Sequence, residues 1–293
     1  MLSDWLEDIQ QFIFDMFKNS CEGLLTLITM LFQKSVDNVR TQVSETPTEF
    51  SQSIVENLRT ISETAILPVA GLLLTYIFCY EIYQMIVEKN RGSDFETGQL
   101  LFLIIKTSGA ILLLSNSFDI TLAFFDLGKW ITDKVPDSVL VIPQTVPDML
   151  LATFEERNGD IGYALTMWIV IAIALIITFV MSGIIYLVAW SRIVTIMLYI
   201  SVAPLPFATF LNNDWIGSIG QTYLKNLIAL MLQGYFMLVC LIVYAGLLEK
   251  AVNLIAIDGD GIYGLLLMIV SMGILVVSLT RTHSLAKSVM GVV

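Results

Sequence analysis

The dominant pattern of this chain is a series of long apolar stretches separated by mostly short polar connections. A helix that spans a bilayer needs about 20 predominantly apolar residues. Stretches of this kind cover residues 65–87, 99–115 with an apolar continuation to 125, 162–189, 193–211, 224–248 and 261–279. The pattern predicts an all-α, polytopic helical membrane protein with about six transmembrane helices. Counts of five or seven also fit the pattern.

The N-terminal region has a different pattern. Apolar side chains recur three or four residues apart at Trp5, Ile9, Phe12 and Met16, and acidic side chains occupy the other face. This period predicts an amphipathic helix, and the apolar run at 23–32 is too short to cross a membrane. Helices that lie on anionic lipid usually carry Lys and Arg on the polar face. We therefore expect this acidic helix to pack on other protein.

The connections divide the chain into four predicted regions. The longest connection, at 126–160, contains Pro136, Pro143 and Pro147, which are too many for one helix. The predicted regions are an amphipathic N-terminal helical region at 1–64 with a second amphipathic segment at 48–62, a transmembrane hairpin at 65–125, a central loop at 126–160, and a C-terminal transmembrane core with a short tail at 161–293.

The composition fits a chain that uses lipid as a solvent. Apolar residues make up 56 % of the 293 residues and charged residues 14 %, against roughly 45–50 % and 25 % in soluble domains. These values exclude a soluble enzyme, a disordered protein and a coiled coil. The net charge is −11, and the 15 Lys and Arg form no run. The chain therefore has no basic footprint with which to clamp nucleic-acid phosphates.

The sequence contains no constellation of catalytic or metal-binding residues. The single histidine, His283, follows the last apolar stretch, and Cys21, Cys79 and Cys240 have neither metal-site nor disulfide-framework spacing. Residues 257–264 (IDGDGIYG) contain part of the GxGD motif of intramembrane aspartyl proteases, but position 257 is Ile and no other span offers a partner aspartate. A Gly/Asp turn before the last helix explains this segment better. We expect neither an enzymatic activity nor a cofactor.

Two ionisable residues lie inside the predicted hairpin. Glu81 is six residues before the end of the first apolar stretch, and Lys106 is seven residues after the start of the second. Antiparallel helices joined by a short turn place such offsets at the same depth, roughly 10 Å from the turn. A charge at that depth is expensive unless it is paired or hydrated. We predict a buried ion pair; the alternatives are a charge that lines a polar path and a snorkelling side chain.

The fourth apolar stretch is interrupted by Pro204 and Pro206 in the segment SVAPLPF. Each proline removes a backbone donor, and non-helical backbone at membrane depth must be buried in protein or line a wet cavity. A kinked buried helix and a broken helix beside a conduit both satisfy this requirement. Small residues nearby permit close helix packing, which we expect at Gly217, Gly220, Gly234 and Gly246.

Residues 189–247 resemble a known family of membrane proteins. They comprise AWSRIVTIMLYISVAPLPFATF and, after a short link, GSIGQTYLKNLIALMLQGYFMLVCLIVYAGL. The Trp-x-Arg start, the Ala-Pro-Leu-x-Phe end of the span and the Lys-led next span are similar to those of the TrbL-like family, the polytopic membrane subunits of conjugative type IV secretion systems. The residues that carry this motif are Trp190, Arg192, Ala203, Pro204, Leu205, Pro206 and Phe207.

The resemblance implies a function. It implies a ring-like homo-oligomer in the bacterial cytoplasmic (inner) membrane, in contact with transport ATPases and other secretion-system membrane subunits. Such an assembly would help pass single-stranded DNA or nucleoprotein across the lipid bilayer. A small-solute or ion transporter and a non-conducting membrane scaffold subunit are the alternatives. Transporters often have broken helices in two repeated halves, whereas only one half of this sequence has a proline break.

Overall fold

The protein is helical throughout the part that the structure describes. The computed structural model describes residues 2–89, 97–135, 150–154, 157–210, 212, 217–258 and 261–292. The structure is 92 % helical, with no β-strand among these residues, so the predicted all-α membrane class is confirmed. The helices are α1 (Leu2–Ser44), α2 (Pro47–Phe50), α3 (Gln52–Ile61), α4 (Leu67–Lys89), α5 (Thr97–Ser115), α6 (Ser117–Thr132), α7 (described over 150–154), α8 (Ile161–Ser201), α9 (Pro204–Ala208), α10 (Gly217–Asp258) and α11 (Gly261–Val289).

The helices form two units, each drawn from three separate stretches of the chain. Unit 1 comprises Met1–Val43, Asp133–Trp190 and Phe236–Thr282, and unit 2 comprises Ser44–Thr132, Ser191–Tyr235 and His283–Val293. The four predicted regions follow chain order instead, and they stay a prediction. The three prolines of the predicted central loop lie outside the described residues, as do residues 259–260 of the Gly/Asp turn.

Unit 1 is built on one face of α1. The buried residues of that face recur at helical spacing: Phe14, Cys21, Leu25, Ile28, Phe32, Val36, Val39 and Val43. They join two apolar clusters whose other members come mainly from α8, α10 and α11. Ring contacts fix the alignment, with centroid distances of 5.0 Å between Phe32 and Tyr244 and 6.2 Å between Phe17 and Trp168.

The predicted N-terminal helix forms, but the face that the sequence analysis singled out is not the face that this chain buries. Trp5, Phe12 and Met16 are 64 %, 71 % and 50 % exposed. α1 continues without a break to Ser44, and over that length the largest apolar stripe is the one that packs on the other helices of unit 1. α1 is not among the helices that are apolar enough to cross a membrane.

Unit 2 contains two apolar clusters. The first joins α3, α6, α8 and α10 through residues such as Val55, Phe118, Ile196 and Leu227. The second surrounds the short helix α9, and its buried members are Ala70, Leu74, Ala110, Leu114, Ala203, Phe207, Ala208 and Tyr223. The second cluster therefore places the proline segment among α4, α5 and α10.

A π-helical turn, Ser62–Ile66, connects α3 to α4. The Leu67 amide donates to the Ser62 carbonyl, five residues back, and Pro68 follows at once. A proline cannot donate to the carbonyl four residues before it and its ring crowds that carbonyl. A wider turn just before Pro68 relieves this conflict and keeps the helix continuous. The amphipathic pattern predicted a separate segment at 48–62 and gave no sign of this turn.

The described residues contain four helical stretches that are long and apolar enough to cross a membrane. They are Gln52–Val87, Ile161–Ser201, Gly217–Lys250 and Tyr263–Val289; the bent pair Leu101–Ser115 and Ser117–Thr132 adds a fifth if it is one span. The predicted count of about six is therefore approximate.

The difference in count arises at the third and fourth predicted spans. Residues 161–201 form one continuous helix of 41 residues, about 62 Å long at 1.5 Å per residue. The polar residues at 191–192 suggested a boundary, but no Pro or Gly lies there to interrupt the helix. The Arg192 side chain is instead buried, only 7 % exposed.

Candidate functional site

The proline segment is a short break between two helical pieces of unit 2. α8 ends at Ser201, a turn occupies 202–203, and α9 begins at Pro204. Prolines cannot donate to the carbonyls of residues 200 and 202, so the preceding amides do so: Ala203 donates to Ile200 over 3.3 Å and Leu205 to Val202 over 3.2 Å. The carbonyls of Ile200 and Val202, to which the prolines cannot donate, thus accept 3₁₀-type hydrogen bonds from amides within the segment.

Tyr223 of α10 completes the hydrogen bonding of the break. Because the Ala203 amide bonds to Ile200, the carbonyl of Tyr199 has lost its ordinary helical donor. The Tyr223 hydroxyl donates to that carbonyl over 2.8 Å, its ring stacks on the Tyr199 ring at 5.6 Å, and Phe207 contacts it edge-on at 6.1 Å. This role of Tyr223 was not predicted from the sequence. A tyrosine in an apolar span was the available signal, since a buried Tyr hydroxyl usually has a partner.

We expect Tyr223→Phe to destabilise the protein by about 1–3 kcal/mol, because it leaves a part-buried carbonyl without its donor. Thermal unfolding of the purified protein in detergent measures the change. Tyr83→Phe is the matched control, since the Tyr83 side chain is 63 % exposed. Equal midpoints for the two variants would show that the Tyr223 bond contributes nothing to the break.

Two of the predicted packing glycines lie against this break. A Cβ atom on Gly220 would come within 2.8 Å of the Pro206 carbonyl oxygen and 3.0 Å of Thr209 Oγ1. A Cβ atom on Gly217 would overlap the carbonyl of Asn212. The first turns of α10 can therefore approach the backbone of the break only because these positions have no side chain.

We expect Gly220→Ala to lower the stability of the protein by about 1–3 kcal/mol, as overpacking does elsewhere. The neighbour is backbone, which cannot rotate away as a flexible side chain would. Gly246→Ala on the same helix is the control, since Gly246 has open space around its Cβ position; Gly234 is buried in α10. Thermal unfolding should separate the two variants, and an equal response would contradict the packing role.

The break is buried within unit 2. Ala203 and Phe207 are 0 % and 3 % exposed, Pro204 is buried, and Leu205 and Pro206 are half-buried. The two prolines allow either a kinked helix buried in protein or a broken helix beside a conduit. In this single chain the surrounding protein covers the break. The other motif residues lie in α8, where Arg192 is buried and Trp190 is 49 % exposed.

A second break lies close to the first. α5 and α6 are bent by 66° at Asn116, and both helices contact α9. The Asn116 side chain donates to the carbonyl of Leu112 over 2.8 Å, and the Ser115 hydroxyl bonds to Ile111. Side chains that bond to the preceding turn compete with the helix ladder and favour a bend. The apolar pattern predicted a stretch over 99–115 with an apolar continuation to 125, and it did not predict this bend.

The structure brings Glu81 and Lys106 together across α4 and α5. Lys106 Nζ lies 2.8 Å from Glu81 Oε1 and 3.1 Å from Oε2. The Lys106 side chain is 20 % exposed and the Glu81 side chain is 16 % exposed. The two side chains thus lie opposite each other on the hairpin, as their similar offsets from the turn allow. The pair can lock the register of the hairpin.

Two exposed ion pairs at the edge of unit 2 were not expected from the sequence. Arg59 pairs with Asp119, and Lys129 pairs with Glu49. Glu49 also closes a capping box, accepting from the Thr46 amide over 3.0 Å while its own amide donates to Thr46 Oγ1 over 3.3 Å. The bonds from Lys129 and from the Thr46 amide lower the pKa of the Glu49 carboxyl. The spacing Thr-x-x-Glu was the signal that could have predicted this cap.

The described residues contain no group of three or more His, Cys, Asp and Glu side chains that could hold a metal ion. The cysteines Cys21, Cys79 and Cys240 are free thiols.

Comparison with known proteins identifies one family. The family described as TrbL/VirB6 plasmid conjugal transfer like protein matches residues 32–204, more than half of the chain. No curated protein and no solved structure matches the chain. The matched residues overlap the TrbL-like stretch, residues 189–247, at positions 189–204. From there the match extends towards the N-terminus through α4, α5 and α6.

The match confirms the resemblance seen in the sequence. Members of this family are structural subunits of secretion systems, and the family is not one of known enzymes. The apolar helices agree with a multi-pass bacterial membrane protein of a type IV secretion system. The chain belongs to the TrbL/VirB6 family of plasmid conjugal transfer like proteins and is a membrane subunit of a conjugal transfer system.

Proposed function

We propose that this protein helps pass DNA or nucleoprotein across the bacterial cytoplasmic membrane, as one subunit of a ring-like homo-oligomer in the platform of the transfer machine. Its partners are other copies of itself, other secretion-system membrane subunits, transport ATPases and, transiently, single-stranded DNA. The observation that carries the proposal is the family match over residues 32–204.

Two features of the described helices support a role in passage rather than simple anchoring. Discontinuous helices and ionisable side chains within apolar helices are features of substrate pathways, and unit 2 contains the break at Pro204, the bend at Asn116 and the Glu81–Lys106 pair. Large apolar side chains such as Leu72 and Leu187, 73 % and 71 % exposed, offer surface for lipid or for neighbouring copies.

Deleting the gene in a donor strain tests the proposal. We expect the mating frequency to fall by several orders of magnitude, to return when the gene is supplied in trans, and growth to stay normal. The protein purified in mild detergent should migrate as a large homo-oligomer by light scattering. A deletion that leaves mating unchanged would overturn the role in transfer, and a monomer in detergent and after crosslinking in cells would overturn the ring.

A solute transporter is the second candidate, and the structure adds one observation in its favour. The sequence showed one broken helix, but the bend at Asn116 is a second discontinuity, and both flanking helices contact α9. Paired discontinuous helices are a feature of transporter binding sites. A transporter predicts the reverse of the result above: a solute-uptake defect in the deletion strain with intact mating.

A further inference from the structure

Helix α1 lies beside the apolar helices of unit 1. Its buried face packs from Phe14 to Val43 in clusters that contain α8 residues from Ala164 to Ala189. The Tyr186 hydroxyl also donates to the carbonyl of Lys34 over 3.3 Å. α1 therefore runs beside α8 over most of the length of both helices in this unit.

The depth of α1 follows from the sequence of α8. Residues 161–189 contain no Asp, Glu, Lys or Arg, and α8 is a candidate membrane span. The hydrocarbon core is about 30 Å thick, or about 20 helical residues. When the centre of the hydrocarbon core lies within residues 161–189 of α8, a long part of the neighbouring α1 lies at hydrocarbon depth.

Part of the side of α1 that unit 1 does not bury is polar at that depth, beside the exposed apolar side chains of Leu27 and Met30. Glu22, Thr26, Gln33 and Asp37, here called the polar stripe, are spaced by four, seven and four residues and so share one helix face. Glu22, Thr26 and Asp37 are exposed and Gln33 is half-buried. Gln33 donates to Asp37 over 3.1 Å, so part of the stripe already forms a hydrogen-bonded row.

Neither lipid nor a dry protein contact suits this face. Charged and amide side chains at hydrocarbon depth normally face a water-filled cavity or the interior of a bundle. A dry contact would take charges of both signs out of water, since Lys34 is exposed on the same half of the helix, and desolvation of such charges outweighs their attraction unless the geometry is excellent. Water is the environment that satisfies the whole stripe.

We propose that the polar stripe of α1 lines a water-filled path through the membrane, closed by neighbouring copies of this chain. The inference rests on the proposed function, because a path of this kind is what a DNA-passing subunit needs. Its two carboxylates and two uncharged polar side chains keep the wall hydrated without attraction for phosphates. The amphipathic helix α1 thus supplies a polar wall beside the four or five apolar spans.

Cysteine accessibility tests the proposal directly. In a functional variant without the native cysteines, Gln33→Cys and Thr26→Cys are compared with Ile176→Cys and Leu187→Cys on α8, whose side chains are 66 % and 71 % exposed on unit 1. Membrane vesicles opened by freezing and thawing receive a charged, membrane-impermeant thiol reagent on both sides. We expect the two stripe positions to react at least ten times faster than the two α8 positions.

Two other outcomes overturn the proposal. Slow reaction at all four positions would place the stripe in lipid or in a dry contact, and fast reaction at all four would place this part of unit 1 outside the membrane. Either result leaves the proposed function to be judged by the mating frequency of the deletion strain, which does not depend on labelling. A deletion strain that mates normally would instead overturn the function and leave the measured path intact.

Discussion

Donor cells that carry Pro204→Ala together with Pro206→Ala should transfer DNA as poorly as cells without the gene, while the protein reaches the membrane at normal levels. Insertion is preserved because removing prolines restores backbone donors and keeps the segment apolar. Assembly is not preserved. A regular helix through this segment would let Ala203 donate to Tyr199 and displace the Tyr223 hydroxyl. It would also turn Phe207, 3 % exposed, away from its cluster.

Pro47→Ala is the matched control for this variant. Pro47 is at the first position of α2, where a proline leaves no helical bond unmade. Mating frequency, protein level in membranes by immunoblot, and oligomer size by crosslinking are measured for both variants. Normal mating by the double variant would show that the break has no role in transfer, while loss of the protein from the membrane would show a folding defect instead.

A second large effect is expected at the ion pair. Lys106→Met or Glu81→Gln alone leaves one charge without its partner in a part-buried position, which costs about 3–5 kcal/mol at a fully buried site and less here. The side chains are only 20 % and 16 % exposed, so we expect each single variant to unfold at a clearly lower temperature. The double variant removes both charges and should recover most of the loss.

The exposed pair of Arg59 and Asp119 provides the comparison. Their side chains are 38 % and 58 % exposed, and exposed pairs contribute about 0–1 kcal/mol. The coupling free energy from a double-variant cycle should therefore be clearly larger for Glu81 and Lys106 than for this pair. A double variant at Glu81 and Lys106 that is less stable than the sum of its single variants would contradict the pairing.

Hydrophobic patterning predicted the helical membrane class because a bilayer requires long apolar helices whose backbone groups are satisfied within each segment. The same logic placed Glu81 and Lys106 at one depth, since the rise per residue and a short turn fix the register of a hairpin. The predicted close approach at Gly217 and Gly220 needed only the absence of a Cβ atom, which the sequence states directly.

The tertiary structure determined the helix boundaries and bends, because at these positions local sequence preferences compete with packing between helices. The sequence suggested a boundary near Arg192, but α8 continues through it because burial of that side chain and continuous packing favour one helix. The bend at Asn116 and the π-helical turn before Pro68 depend on side-chain and ring contacts that a hydropathy window averages away.

The N-terminal helix α1 shows most clearly which features follow from the sequence and which from the tertiary structure. By itself the sequence determined that α1 is amphipathic, because the 3.6-residue period fixes which side chains share a face. It could not determine which apolar stripe would be buried, since Phe12 and Phe14 are equally apolar and lie on different faces. Only the positions of α7, α8 and α11 decided that Phe14 is covered and Phe12 is 71 % exposed, because burial follows from the surfaces that neighbouring helices present.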